Sequence, residues 1–381
     1  MTAVALYRLP YRQQVTLVAQ KDDEPQELLS CEFLNGQQGF VVAPFSISHQ
    51  TPIILIRPDI LHTFDTVSDC IDEGNKVFPR LKQPVSTGET TCFNGGNNLR
   101  ETYASDFARF FQPLKNGQYR KLVLSRCVEE PLVEGMSALQ LFQRACQLYP
   151  RLFISLVYTA KSGMWLTATP EILLEGEGNE WRTIALAGTM KLEGDELLGE
   201  GEHVTWSTKN IQEQRYVATY LMGRLEQLAQ NIHEEGPRTV RAANLVHLRS
   251  DFTFNLLNKE RVGDFLQLLH PTPAVCGLPK DATYRFILDN EHTPRLYYSG
   301  FMGPLNISPF SLLGRAKRQS RAHPSPFTSL YVSLRCMQIT SDRYRLYAGG
   351  GLLKDSIEEM EWQETEAKLE TMRQCIAIRK M

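Results

Sequence analysis

Apolar residues fall in short, interrupted runs over the first hundred positions. VALYRL (4–9), QVTLVA (14–19), GFVVAP (39–44) and PIILIR (52–57) are each bounded by Pro, Gly, Asn, Asp or polar clusters, a pattern of strands and turns. GETTCFNGGNN (88–98) reads as a loop. The period then changes. Tyr103, Phe107, Phe110 and Phe111 recur at i, i+4, i+7 and i+8, one face of a helix. KLVLS, from Lys121, reads as a buried strand, and Ser137 can cap a helix carrying Leu139, Phe142 and Cys146. FISLVYT and MWLTA suit a hairpin. A longer helix begins near Lys209, with Val217, Leu221, Leu225 and Leu228 as its stripe. YVSLRCMQI and RYRLYA suit a second hairpin around Ser341–Asp342, and Ser356 with Glu359 three residues on gives the last helix a capping box. Strands and helices are interspersed without a regular βαβ alternation, which predicts an α+β fold.

Composition narrows the class. The 381 residues include 42% apolar and 22% charged side chains, as in ordinary globular proteins. Forty-one basic against 43 acidic residues leave a net charge of −2, so the chain is no globally basic nucleic-acid binder. No apolar run approaches the ~18 residues of a spanning helix. The opening MTAVALYRLPYRQQ lacks the layout of a signal peptide. The expectation is a soluble, cytoplasmic protein without a membrane segment. Eight cysteines include no C-x-x-C pair, so reduced, buried thiols are expected rather than disulfides or a zinc site. Between Asn306 and Thr328, Arg315, Lys317, Arg318 and Arg321 stand without an acid, as in a solvated surface loop.

Several charges share stripes with apolar residues. Glu361, Glu364 and Lys368 lie on one helical face that continues to Met372 and Cys375, and Glu213 aligns with Val217 and Leu221. Buried carboxylates require cations or a metal. Two from separate helices suit Mg²⁺, a hard cation that keeps open positions for water and substrate oxygens; an ordinary surface ion pair with Lys368 fits the same spacing. Lys121 opens an apolar run, as a snorkelling strand-end lysine does. To serve as a base it must instead lose its proton near pH 7 rather than near ~10.4, a difference of roughly 4 kcal/mol. Glu171 follows Thr169–Pro170 at a strand end, placed equally for a general acid or a surface turn. The glycines of LAGT and YAGGG permit close backbone approach to a ligand, and also plain turns.

The order KLVLSR (121–126), TPEILL (169–174), LAGT (186–189), HPTPAVCG (270–277), YSG (298–300), LRC (334–336), YAGGG (347–351) and EWQETEAK (361–368) resembles the chorismate-utilising enzymes. The resemblance runs from about Leu99 to Cys375. It divides the chain into a variable strand-rich part, 1–98, and a chorismate-binding catalytic region, 99–381, within one compact domain. It implies two large antiparallel sheets packed face to face with flanking helices, the fold of anthranilate synthase component I, and a requirement for Mg²⁺.

Within that family, isochorismate and salicylate synthases have lysine where this chain has Lys121, and ammonia-using anthranilate enzymes have glutamine. Aminodeoxychorismate synthases have a nucleophilic lysine where ALAGT places Ala187, so the resemblance points to water as nucleophile. It implies that Lys121 activates water for attack at chorismate C2 and that Glu171 protonates the departing C4 hydroxyl. Glu213 and Glu364 match metal ligands, and Glu361 a carboxylate acting through water. Arg335 and Tyr298 match residues that bind the enolpyruvyl carboxylate. Gly188, Gly349 and Lys368 match further substrate contacts, with Thr189, His247 and Thr272 as pocket residues. KNIQEQ (209–214) departs from the usual K-E-x-x-E-H: Asn210 replaces an acid and Gln214 a histidine. The resemblance is greatest to isochorismate synthases, with a salicylate synthase or a silent chorismate-binding protein as alternatives. It implies a monomer with no glutamine amidotransferase partner, whose product could serve menaquinone or siderophore synthesis.

Overall fold

A strand buried on both faces has no polar side to show, and the short apolar runs form such strands. The computed structural model describes residues 1–77, 99–191, 204–242, 245–258, 260–307 and 326–377. Within them the chain builds two nine-stranded antiparallel sheets. The first runs in the order Gly277–Leu278, Lys121–Pro131, Arg343–Leu352, Cys336–Ile339, Gly163–Thr169, Phe153–Thr159, Ala3–Arg8, Val15–Gln20, Ile60–Phe64. The second runs Ala229–Ala242, Leu245–Leu256, Glu180–Lys191, Ile172–Glu177, Phe327–Val332, Phe301–Leu305, Gly39–Ala43, Ile53–Ile56, Gln26–Leu28. The N-terminal strands belong to both. Ala3–Arg8 pairs with Phe153–Thr159, and Gly39–Ala43 pairs with Phe301–Leu305.

The sheets pack face to face. Tyr7 meets Phe40 at 5.6 Å between ring centroids, and Phe153 stacks on Tyr331 at 4.2 Å. Helices Ala138–Leu148 and Glu358–Ile376 cover the outer face of the first sheet; Thr208–Leu228 and Val262–Leu269 cover that of the second. Each sheet therefore lies between two apolar layers, which explains continuous rather than alternating apolar strands. None of the described helices is long and apolar enough to cross a membrane.

The chain changes sheets beside the candidate residues. Gly163–Thr169 belongs to the first sheet and Ile172–Glu177 to the second, with Pro170–Glu171 between them. Phe327–Val332 lies in the second and Cys336–Ile339 in the first, with Ser333–Arg335 between. YVSLRCMQI is thus not one strand, as its pattern suggested, but two half-strands joined at Arg335, whose φ is +46°. The two crossovers are tied together: Val332 N donates to the Glu171 carbonyl at 2.9 Å, and Ala168 N to the Arg335 carbonyl at 3.0 Å. The hairpin at Ser341–Asp342 forms as expected, from Cys336–Ile339 and Arg343–Leu352.

Ser137 caps its helix in a full capping box with Gln140, and Ser207 caps Thr208–Leu228 through Asn210 N. The box expected at Ser356 does not form. Ile357 holds the N-cap position, so Ser356 stands one residue too early; its hydroxyl accepts from Leu353 N at 3.0 Å, and Glu359 pairs with Arg100 at 2.9 Å. Seven cysteines are free and buried, as expected. Cys92, the 88–98 loop and the four basic residues of the 306–328 segment lie outside the described residues.

Gly300 shows how closely the sheets' connections approach. A Cβ at this position would stand 1.9 Å from the Ala43 carbonyl oxygen, whereas one at Gly223, exposed on the Thr208–Leu228 helix, would meet nothing within 4 Å. Gly300→Ala is therefore expected to lower the unfolding free energy by about 1–3 kcal/mol, and Gly223→Ala to raise it by about 0.5–1 kcal/mol. Urea unfolding of both variants checks the opposite signs.

Candidate active site

The two crossovers face a small cavity of about 60 Å³ between the sheets. Glu171, Gly188, Thr189, Glu213, His247, Tyr298, Arg335, Gly349 and Lys368 all line it. Three strands, two helices and the connections that carry Glu171, Tyr298 and Arg335 deliver these residues. Much of the remaining wall is apolar, including Leu186, Ala187, Ala274, Val275 and Leu334; all but Ala187 were missed because nothing distinguishes a wall residue from a core residue in an apolar run. Thr272, expected in the pocket, is buried but does not line the cavity, and neither does Lys121. The Thr272 carbonyl accepts from Val275 N and Cys276 N, closing a turn.

Lys121 is the first residue of its strand and wholly buried. Its Nζ lies 2.9 Å from Glu213 Oε1, an ion-pair contact, yet none of its N–H groups is aligned on an acceptor among the described residues. The space for this pair comes from Gly351, where a Cβ would stand 2.0 Å from Glu213 Oε1 and 3.0 Å from Lys121 Cε. A Cβ at Gly349 would stand 2.8 Å from the Tyr298 hydroxyl. Any side chain at either position would fill the site.

Burial pushes the Glu171 carboxyl up to about 7, although Lys121, Arg335 and Lys368 pull in the opposite direction. It can therefore hold a proton near neutrality. Arg335 is lowered to about 10 by burial, against the pull of Glu171, and remains charged. One of its N–H groups meets His247 Nε2, while Nη1 has no partner among the described residues. Burial, with Arg335 and Lys368, holds His247 well below its ordinary value. The imidazole is neutral, and because arginine can only donate, Nε2 accepts. Nδ1 then carries the proton and donates to the Gly188 carbonyl at 3.2 Å. His247 thus orients the arginine rather than titrating.

Outside the Arg343–Leu352 strand lies a second group of charges. Lys368 Nζ donates to the Gly349 carbonyl at 2.8 Å and to Glu364 Oε1 at 2.7 Å. Lys209 pairs with Glu361. A Cβ at Gly350 would stand 3.5 Å from Glu361 Oε2 and 3.6 Å from Glu364 Oε1, so both carboxylates lean on one bare backbone position. Burial and the nearby charge of Glu364 raise Glu361 to about 7 despite Lys209. Burial also works against Glu213, but Lys121, Lys209 and Lys368 hold it below the usual carboxylate range. Glu361 and Glu364 line an open outer cavity of about 880 Å³, which shares Thr189 with the inner one.

The residues that depart from K-E-x-x-E-H serve the framework. Asn210 packs its Cβ against Gly188, and Gln214 donates to the Ala185 carbonyl at 3.1 Å and to Ser250 Oγ at 3.3 Å. Neither pairs with the three carboxylates. A third cavity, about 640 Å³, lies beyond Pro170 and Leu186 and holds none of the candidate residues.

The family described as chorismate binding enzyme matches residues 40–310 and 323–377, and the chain belongs to it. It is 28% identical to isochorismate synthase EntC of Escherichia coli strain K12 over 312 residues, 79% of this chain and 75% of that protein. The fold is that of MenF, described as the menaquinone-specific isochorismate synthase of Escherichia coli, with a TM-score of 0.75 at 21% identity over 98% of this chain and 89% of the other. Anthranilate synthase component I of Streptococcus pneumoniae shares it with a TM-score of 0.63 at 17% identity, over 93% and 82% of the two chains.

The raised Glu171 carboxyl has a measurable consequence. Its native state keeps a proton that the unfolded chain releases, so stability is lost as pH rises from about 4.5 to about 7. Glu171→Gln removes this penalty. Relative to wild type, the variant is expected to gain up to roughly 3 kcal/mol between pH 5 and pH 8. Urea unfolding across that range tests it; a pH-independent difference would return Glu171 to an ordinary carboxylate.

Proposed function

We propose that this protein is an isochorismate synthase, converting chorismate to isochorismate with Mg²⁺. The observation that supports this reading is that Glu171, shifted toward a proton donor, and Glu213 line one cavity, while Lys121 lies buried in contact with Glu213 at 2.9 Å. Lys121, acting in its neutral form once Glu213 turns to the metal, takes a proton from water as its oxygen bonds to ring C2. The ring double bonds shift, the C4–O bond breaks, and Glu171 delivers its proton to the leaving hydroxyl, which departs as water. One water enters and one leaves, so substrate and product are isomers. Charged Arg335, with its unpaired N–H, and Tyr298 hold the enolpyruvyl carboxylate. A guanidinium fork suits that planar group. Lys368, Gly188, Thr189 and Gly349 complete the substrate contacts, with His247 fixing Arg335. Water as nucleophile calls for no ammonia-supplying partner.

The carboxylates fit a hard cation. Glu361 Oε2 is buried without a hydrogen-bond partner among the described residues, beside Glu364 at the bare Gly350. As the side chains stand, no three described His, Cys, Asp or Glu donors are grouped to hold an ion, because lysines engage the three carboxylates. Glu213 and Glu364 would bind Mg²⁺, with Glu361 acting through water. When bound, the ion would neutralise the ring carboxylate of the substrate.

Purified protein incubated with chorismate and Mg²⁺ should yield isochorismate by chromatography; salicylate as the product would assign the salicylate reaction, and neither product would leave a silent binder. Lys121→Met should lose about 10²–10⁴-fold in kcat while still binding chorismate, and more than half of wild-type kcat would remove the base role. Glu213→Gln and Glu364→Gln should each raise the Mg²⁺ concentration needed for half-maximal rate. Full activity in excess EDTA would leave the three carboxylates as structural ion pairs.

A further inference from the structure

The three carboxylates of the proposed metal site are each matched by one lysine, and the three pairs are not alike. Lys121 pairs with Glu213 in the buried interior. Lys368 pairs with Glu364 but is also anchored on the Gly349 carbonyl at 2.8 Å. Lys209 holds Glu361 with no second hydrogen bond among the described residues. The Glu361 side chain is 2% exposed and that of Lys209 20%, so the carboxylate is fixed in the interior and the lysine reaches it from outside. The other oxygen of Glu361 has no hydrogen-bond partner among the described residues.

We infer that Lys209 is a tethered cation that occupies the place of the metal's charge at Glu361 and must swing outward before a divalent ion is held there. This rests on the metal reading above. An ammonium on Glu361 and a dication that Glu361 would hold through water repel each other at short range, and the partly buried surroundings strengthen that repulsion. The lysine has a route out. It lines the open cavity of about 880 Å³, whose wall also carries Asp355 and Glu370. A flexible four-carbon stem lets the ammonium exchange a buried carboxylate for the open rim, where Asp355 and Glu370 stand with Lys191 and Arg373. Lys209 thereby sets how much divalent ion the site requires. In a purely structural role, the same pair would dock the Thr208–Leu228 helix on Glu358–Ile376, and removing it would loosen Glu361 and weaken metal binding. The two roles predict opposite signs.

The test uses Mn²⁺ as the probe, with binding followed by loss of the electron paramagnetic resonance signal of the free hydrated ion. Wild type and Lys209→Met are titrated without substrate. The expected result is Mn²⁺ binding at least about tenfold tighter in the variant. In parallel, wild-type protein is reductively methylated with and without Mg²⁺ and Lys209 labelling is read by mass spectrometry; labelling should rise with the ion. Equal or weaker Mn²⁺ binding by the variant overturns the inference, as does labelling that stays level or falls. Failure of both proteins to bind Mn²⁺ overturns the metal reading with it, whereas equal binding by both overturns the tethered-cation role alone. If Lys209→Met does not fold, the wild-type labelling decides.

Discussion

The candidate active site depends on two backbone hydrogen bonds between the places where the chain changes sheets. Val332 N to the Glu171 carbonyl and Ala168 N to the Arg335 carbonyl lock the Pro170–Glu171 and Ser333–Arg335 crossovers side by side. Each crossover ends strands that are buried on both faces, so neither can slide without moving a whole apolar layer. The proposed acid and the carboxylate-binding arginine are therefore separated by the framework rather than by their side-chain torsions. Arg335 accepts a positive φ at this junction, and His247 contacts its guanidinium from the Leu245–Leu256 strand of the second sheet. Placement of this kind is what a two-proton reaction on one ring demands, because misplacement of either group costs rate steeply.

The Gly349–Gly351 run meets a second demand. Successive residues of a strand face opposite sides. Gly349 and Gly351 open space toward Tyr298 and the Lys121–Glu213 pair, while Gly350 opens it toward Glu361 and Glu364. One strand with no side chains over three positions thus brings the inner cavity and the carboxylate cluster within a backbone's thickness of each other. The buried lysines are the counterpart. They neutralise carboxylates that could not otherwise remain inside, and in doing so they hold the site in a charge-balanced form.

Much of this was legible in the sequence because the chemistry-bearing residues sit in recognisable short motifs. Glu213, Glu361 and Glu364 drew notice as charges on apolar stripes, and the structure buries Glu213 and Glu361. Strands such as PIILIR were legible from their β-branched runs. The YVSLRCMQI segment was misread because an apolar run looks the same whether it stays in one sheet or changes sheets; only the backbone at Arg335 distinguishes the two. The Ala229–Ala242 and Leu245–Leu256 pair was missed because the first of these strands is largely exposed and polar. Ser356 illustrates the limit of a spacing rule: the right residues stood three apart, but the helix started one position later. The pairing of Lys209 with Glu361 spans 152 positions, beyond the reach of any local pattern.

The sheet order also governs how the protein is made. Ala3–Arg8 finds its inner neighbour only at Phe153–Thr159, and Gly39–Ala43 waits for Phe301–Leu305. On the ribosome, the apolar strand Gly39–Ala43 therefore keeps an unpaired edge until most of the chain has emerged. Pairings so distant in sequence are slow to close, and an open apolar edge invites association with other chains in the interval. The connectivity that brings Glu171, Lys121 and Arg335 together thus leaves the nascent chain open to such association until its C-terminal half arrives.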